Sequence, residues 1–254
     1  MSAPYPLVRN FIAFSTRFGV FTSPSRSGSS PSAASRFLTR SCILLFYMSL
    51  HGWPAQAQSP ESLYADRENL VSARQAVALL TADVARDGSA FEPSWQLARI
   101  CYWMGAHAPE AERRAFLERG VVAAQSAARL APNRPEGHFW AAATMGALAE
   151  NYGMRVGLRY RKPIREELEI VLRLDPAFMQ GSADRALGRY YAKVPSLLGG
   201  SREKAERHLR ASLRYNPDST ISRFFLAELL LDANRKADAR VELQHVIYAP
   251  LSEL

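Results

Sequence analysis

The chain has 254 residues, 48% of them hydrophobic and 22% charged, with a formal net charge of +8. That size and apolar content exclude a disulfide-stapled miniature and a wholly disordered chain. Five arginines (Arg9, Arg17, Arg26, Arg36, Arg40) and no acid lie in residues 1–57, which leaves 27 bases against 24 acids beyond them, so no basic nucleic-acid-binding domain is expected.

Residues 1–57 read as a leader. Residues 23–35 are rich in serine and proline without periodicity, the composition of a disordered segment. Arg36 and Arg40 then precede an apolar run at 42–50 and the triplet Ala55-Gln56-Ala57. This is the pattern of a Sec-type signal peptide cleaved after Ala57. An acid-free leader rich in arginine and serine is also the composition of a mitochondrial transit peptide. The expected location is therefore periplasmic or secreted, with mitochondrial as the alternative. The run is too short to span a bilayer as a helix, and no stable transmembrane segment is expected after cleavage. Cys42 opens the run instead of following it, unlike a lipoprotein anchor.

Residues 58–254 show helical spacing throughout and no sustained apolar/polar alternation, so the domain is expected to be all-α. A helix is predicted over 62–86, with Leu70, Ala73, Val77, Leu80 and Val84 on one stripe. A pair follows at 93–105 and 109–130, with Trp95, Ala98 and Tyr102 on the first helix and small Gly120, Ala124 and Ala127 on the second. Cys101, the lone cysteine after the leader, reads as a small buried hydrophobe. The next pair, 135–150 and 163–174, begins with a helix of small residues (Ala141, Ala142, Ala143, Gly146, Ala147), and residues 151–163 are expected as a loop inserted between its halves.

The unit at 186–217 is the most legible. Leu187 and Tyr191 share a helix face, and Gly188 leaves room for a second helix. The chain breaks at Pro195 and Gly199-Gly200, giving a second insertion at 193–201. Ser201 is the expected N-cap, with Lys204 where a capping box would have Glu or Gln. Ala205, Leu209 and Leu213 form the next stripe, which stops at Asn216-Pro217. A last pair covers 219–231 and 236–247. Similar endings stand at Pro132, Pro176, Pro217 and Pro250, separated by 44, 41 and 33 residues. The Leu-Gly pair, the tyrosine one turn on, the small residue in the second helix and the Asn-Pro ending resemble a tetratricopeptide repeat, whose period is about 34 residues. The fold expected is a tetratricopeptide-like helical-hairpin solenoid of about four repeats with insertions.

His107 and Glu110 flank a turn at Pro109, and His138, His208 and His245 fall on three different helix pairs. The chain has no HExxH, GxSxG, paired-cysteine or phosphate-loop motif. No catalytic, cofactor or metal site is expected, and the chain is not expected to be an enzyme. Two surfaces remain. Arg155, Arg159, Arg161 and Lys162 in the first insertion form a candidate docking loop for an acidic partner, or else a solvated loop whose cations cover apolar surface. In a tetratricopeptide array the first helix of each hairpin lines the concave side. Aligned so, the groove holds Gln96, Ile100, Trp103 and Met104, then Glu136, Phe139 and Ala143, then Arg185, Arg189 and Lys193, then Phe224, Glu228 and Asp232. A peptide or an apolar ligand would fit such a groove, or the same residues would pack on the next repeat.

Residues 152–231 resemble two related families. The residues concerned are the glycine–arginine insertion, Pro163-Ile164-Arg165-Glu166-Glu167-Leu168-Glu169, Ala186-Leu187-Gly188-Arg189-Tyr190-Tyr191, Val194-Pro195-Ser196-Leu197-Leu198-Gly199-Gly200-Ser201 and Phe225-Leu226-Ala227-Glu228-Leu229-Leu230. One family is the T component of tripartite ATP-independent periplasmic (TRAP) transporters; the other is the regulator-of-microtubule-dynamics family. The first resemblance implies a non-enzymatic, exported scaffold that binds a periplasmic solute-binding protein through Arg185, Arg189 and residues 194–201. The chain departs from it in lacking a cysteine after the apolar run. A second reading is a carrier of an apolar small molecule around Trp103, Phe139 and Phe224. A further copy of the chain, giving a homo-oligomer, is the remaining partner considered.

Overall fold

The computed structural model describes residues 58–249. The expected leader and the Pro250 ending lie outside them. Among the described residues there are ten α-helices and no strand. They are α1 (Pro60–Ala65), α2 (Leu70–Arg86), α3 (Phe91–His107), α4 (Glu110–Leu130), α5 (Pro135–Asn151), α6 (Met154–Leu174), α7 (Ser182–Lys193), α8 (Arg202–Tyr215), α9 (Thr220–Asp232) and α10 (Lys236–Ile247).

Four hairpins, α3–α4 through α9–α10, follow one another. Each helix packs on the next, and the first helices also touch across hairpins: α3 on α5, α5 on α7 and α7 on α9. That is the tetratricopeptide arrangement, because no single hairpin can bury its apolar stripe alone. The recurrent endings have a common geometry. Ala131, Asp175 and Asn216 follow α4, α6 and α8 with φ of −139°, −154° and −140°, the extended backbone that a following proline imposes. The Asp175 carboxylate accepts from the Ala177 N–H and the Asn216 side-chain oxygen from the Asp218 N–H, at 2.9 and 3.0 Å, which turns the chain into the next hairpin.

The core runs through all four hairpins. Ile100, Met104, Leu117, Met145, Leu148, Leu168, Leu187, Leu209, Leu226 and Leu230 are each exposed by 1% or less. Small residues set the spacing where helices meet. A Cβ on Gly120 would lie 2.8 Å from Thr144 Cγ2 and 3.1 Å from Cys101 Cβ, so α3, α4 and α5 converge there. At Gly188 it would lie 2.5 Å from Leu209 Cγ, the close approach of α7 and α8 that its position implies. Cys101 is fully buried, and burial pushes its thiol up to about 12.

Two expectations are corrected. The helix predicted over 62–86 is two helices, α1 and α2. Ser72 Oγ donates to Asp66 Oδ2 at 2.5 Å, and Asn69 caps α2 by accepting from the Val71 N–H at 3.0 Å, so polar side chains close the break without glycine or proline. The basic loop expected at 151–163 is also helical: only Tyr152 and Gly153 separate α5 from α6, and Pro163 lies inside α6. The second insertion is a true loop with one 3₁₀ turn (Ser196–Leu198), and Ser201 caps α8 by accepting from the Lys204 N–H at 3.2 Å.

Candidate partner-binding face

The first helices of the hairpins bring a strip of residues to one face. On α5 the strip runs from Ala143 through Gly146 and Ala147 to Glu150, at helical spacing, one turn beyond the buried Trp140. Tyr102 of α3 meets Trp140, with ring centroids 5.7 Å apart. Arg189 of α7 reaches Glu150 at 3.1 Å and Glu228 of α9 at 2.5 Å, with its guanidinium 4.5 Å from the Phe225 ring. Lys193 stands 3.8 Å from the same Glu228. Glu150, Arg189, Lys193 and Glu228 thus come together as an ion network that joins three hairpins.

Arg185 differs. Among the described residues its guanidinium has no hydrogen-bond or ion-pair partner, although it is half-buried. Burial pulls it below the usual arginine value, opposed by Tyr102. Burial pushes the Tyr102 phenol up; the Glu150 carboxylate adds to this and Arg185 opposes it. Tyr102 is nonetheless 41% exposed. Its phenol therefore stands at the surface, within electrostatic reach of Arg185 and Glu150. The α5 surface is open at Gly146, where a Cβ would meet nothing within 4 Å. A cation and a phenol hydroxyl beside a strip of small residues can hold an anionic group at one end of an extended segment.

The remaining groove residues are dispersed. Phe139 is only 8% exposed and packs edge-on against Trp140 and Phe178, so it belongs to the core. Trp103 stacks on His107 at 4.1 Å near the end of α3. Phe224 is 45% exposed and lines a shallow apolar depression with Ile221, Phe225 and Val246, between α9 and α10. Ile100 and Met104 are fully buried, so the α3 register expected for the groove is off by part of a turn, and Tyr102 takes the place given to them. Tyr102, Glu150 and Phe225 are the residues that sequence reasoning missed at the face. Only the tyrosine carried a signal, as an aromatic between two core positions. Of the basic segment, Arg155, Arg159 and Lys162 are exposed on α6, while Arg161 is half-buried and donates through Nη1 to the Leu198 carbonyl.

Two histidine–carboxylate clasps lie elsewhere. His138 Nδ1 is 2.5 Å from Glu167 Oε2 and its Nε2 is 3.0 Å from the Pro132 carbonyl, which ties α5 to α6. His208 Nδ1 is 2.7 Å from Asp184 Oδ1, which ties α8 to α7, and its ring stacks 5.5 Å from Tyr191. Among the described residues no three His, Cys, Asp or Glu side chains group as metal ligands, and no helix is long and apolar enough to cross a membrane.

The family model for Regulator of microtubule dynamics protein 1-3 matches residues 61–198, more than half of the chain. No curated protein matches the sequence. Among solved structures, TTC0263, a thermophilic TPR protein of Thermus thermophilus, superposes with a TM-score of 0.58 at 20% identity, over 75% of this chain and 89% of that one. A MamA RS-1 ArsTM double mutant superposes with a TM-score of 0.50 at 15% identity, over 74% of this chain and 92% of that one. At these identities the likeness is one of fold.

Proposed function

The chain belongs to the Regulator of microtubule dynamics protein 1-3 family, and on that premise we propose that it is a non-enzymatic scaffold that holds a protein partner across the face at Tyr102, Gly146 and Arg185. The observation that carries this is Arg185, a half-buried guanidinium with no anionic partner among the described residues. Every neighbouring cation on the face has a carboxylate: Arg189 has Glu150 and Glu228, and Lys193 has Glu228. A desolvated cation gains most from a charged hydrogen-bond partner, which here would come from a side chain or terminal carboxylate of the bound segment. The family's name points to a protein partner over a small-molecule substrate.

The finer reading is that the scaffold is exported and serves a TRAP-type solute uptake system, with a periplasmic solute-binding protein as partner. It rests on the leader's composition and the sequence resemblance. Affinity capture with the full chain from its own host tests both levels. The expected result is one stoichiometric partner, retained by Arg159→Gln and weakened at least tenfold by Arg185→Gln and by Tyr102→Phe. A partner indifferent to both the Arg185 and the Tyr102 variants sinks the site, and a partner other than a solute-binding protein sinks the transport role alone.

The alternative reading, a carrier of an apolar small molecule, draws on the depression lined by Ile221, Phe224, Phe225 and Val246. Its signature is a bound apolar mass in native mass spectra that Phe224→Ser removes.

A further inference from the structure

The N-terminal half of α6 and the turn before α8 present an unusual surface. Residues 151–165 contain five cations and no acid. At 3.6 residues per turn, Met154, Leu158, Lys162, Arg155 and Arg159 fall within an arc of about 140° on the helix. Met154 is 81% exposed and Leu158 48%, and Arg155, Arg159 and Lys162 are exposed beside them. The apolar pair lies along one edge of the arc and the cations along the other.

Arg161 falls next to the apolar edge, and its bond to the Leu198 carbonyl draws the turn at 196–198 to that side. Leu197, at the tip of the turn, is 98% exposed. The turn is fixed: the Leu198, Gly199 and Gly200 N–H groups donate to Pro195, Ser196 and Pro195 carbonyls at 2.8, 3.0 and 3.1 Å, and the Ser201 N–H donates to Tyr191 at 3.0 Å. An apolar side chain is therefore held outward on an ordered support that Arg161 ties to the apolar edge of α6.

We infer that this face is a docking surface for an anionic lipid bilayer, with Leu197, Leu158 and Met154 entering the headgroup boundary and Arg155, Arg159 and Lys162 against the lipid phosphates. The shape favours a bilayer over a protein. A protein partner must offer a preformed pocket for each protruding leucine, whereas lipid closes around any apolar tip. Basic residues beside the inserted tips match the negative surface potential. The residues of this face are not those proposed around Arg185, so either reading can fail without the other.

The test uses the full chain with vesicles of phosphatidylcholine alone or mixed with phosphatidylserine. Sedimentation is followed by hydrogen exchange read at 154–162 and 195–200, which separates this face from any other part of the chain that binds lipid. Protection of both segments is expected with the anionic vesicles only, falling as salt rises. It should drop at least tenfold in Arg155→Gln/Arg159→Gln/Lys162→Gln, and equally in Leu158→Asn/Leu197→Asn, which keeps the charge. All these positions are exposed, so circular dichroism should show an unchanged fold. The inference is overturned by no sedimentation, by bound chain whose two segments exchange as in free protein, or by protection that the leucine variant retains. Protection by polyglutamate without protection by vesicles would assign the face to an acidic protein and overturn it as well.

Discussion

A methyl group added at Gly188 has nowhere to go. Its Cβ would lie 2.5 Å from Leu209 Cγ and 3.2 Å from the Ala205 carbonyl, and Leu209 is itself fully buried. Gly188→Ala is expected to destabilise the protein by about 1–3 kcal/mol, the usual cost of overpacking. Gly146→Ala should do the reverse and stabilise by up to about 1 kcal/mol, since alanine is the better helix former and nothing stands within reach. Urea denaturation of the two variants side by side checks the pair; equal effects would rule out the close α7–α8 contact at Gly188. His138 sets a different dependence. Both its ring nitrogens face acceptors, and only the imidazolium donates from both. The hydrogen bond to Glu167 raises its pKa, against burial and the Arg173 charge. The folded state therefore holds the proton more tightly than the unfolded chain. That stability is fully present below the unfolded value of 6.5 and is lost as pH rises through the higher folded value. Urea midpoints measured upward from pH 6.5 should fall in the native chain, and His138→Gln should remove part of that slope.

At the scale of the helix, α6 shows what was legible and what was not. Gly153, Gly157 and Pro163 read as punctuation, and a loop was the natural expectation from local chemistry. Yet Val156 and Tyr160 pack on the core, and Ile164, Leu168 and Val171 are buried, so one stripe at helical spacing runs straight through the proline. Tertiary packing overrides the local signal there. Pro163 still cannot donate to the carbonyl one turn back. Pro163→Ala is accordingly expected to stabilise the protein by about 1–3 kcal/mol, seen as a higher urea midpoint; a loss of stability would mean that the ring's own packing outweighs the missing bond. The break between α1 and α2 was hidden for the opposite reason. It is made by Asp66, Asn69 and Ser72 bonding to one another and to the backbone, residues that also sit well on a helix surface. The α7–α8 hairpin, with its paired stripes, Gly188 and Ser201, was readable because local and tertiary preferences agree.

Across the whole repeat domain, the order of hairpins could be read from the recurrent endings, but the proposed binding face could not. A groove register needs the rotation of each first helix to within part of a turn, and α3 buries Ile100 and Met104 while showing Tyr102. Nor does sequence reveal that Arg189 meets carboxylates from the hairpins on both sides while Arg185, one turn away, meets none among the described residues. At the N-terminal side of the described residues, the Tyr64 ring of α1 has the Arg67 and Arg99 guanidiniums over it at 4.6 and 3.8 Å, and Arg99 also pairs with Glu61 at 2.8 Å. These contacts fasten α1 to α3 by cation–π attraction as well as by charge.

The neighbour-on-neighbour packing of α3 through α10 also bears on how the chain acquires its shape. Each helix finds its main partners within one hairpin of itself in the sequence, so few long loops must close before contacts reward them. Helical proteins of this kind fold on the order of microseconds to milliseconds, while a ribosome adds only about 5–20 residues per second. The α3–α4 and α5–α6 hairpins, with their joint at Gly120, can therefore close their shared core while α9 and α10 are still waiting to be translated.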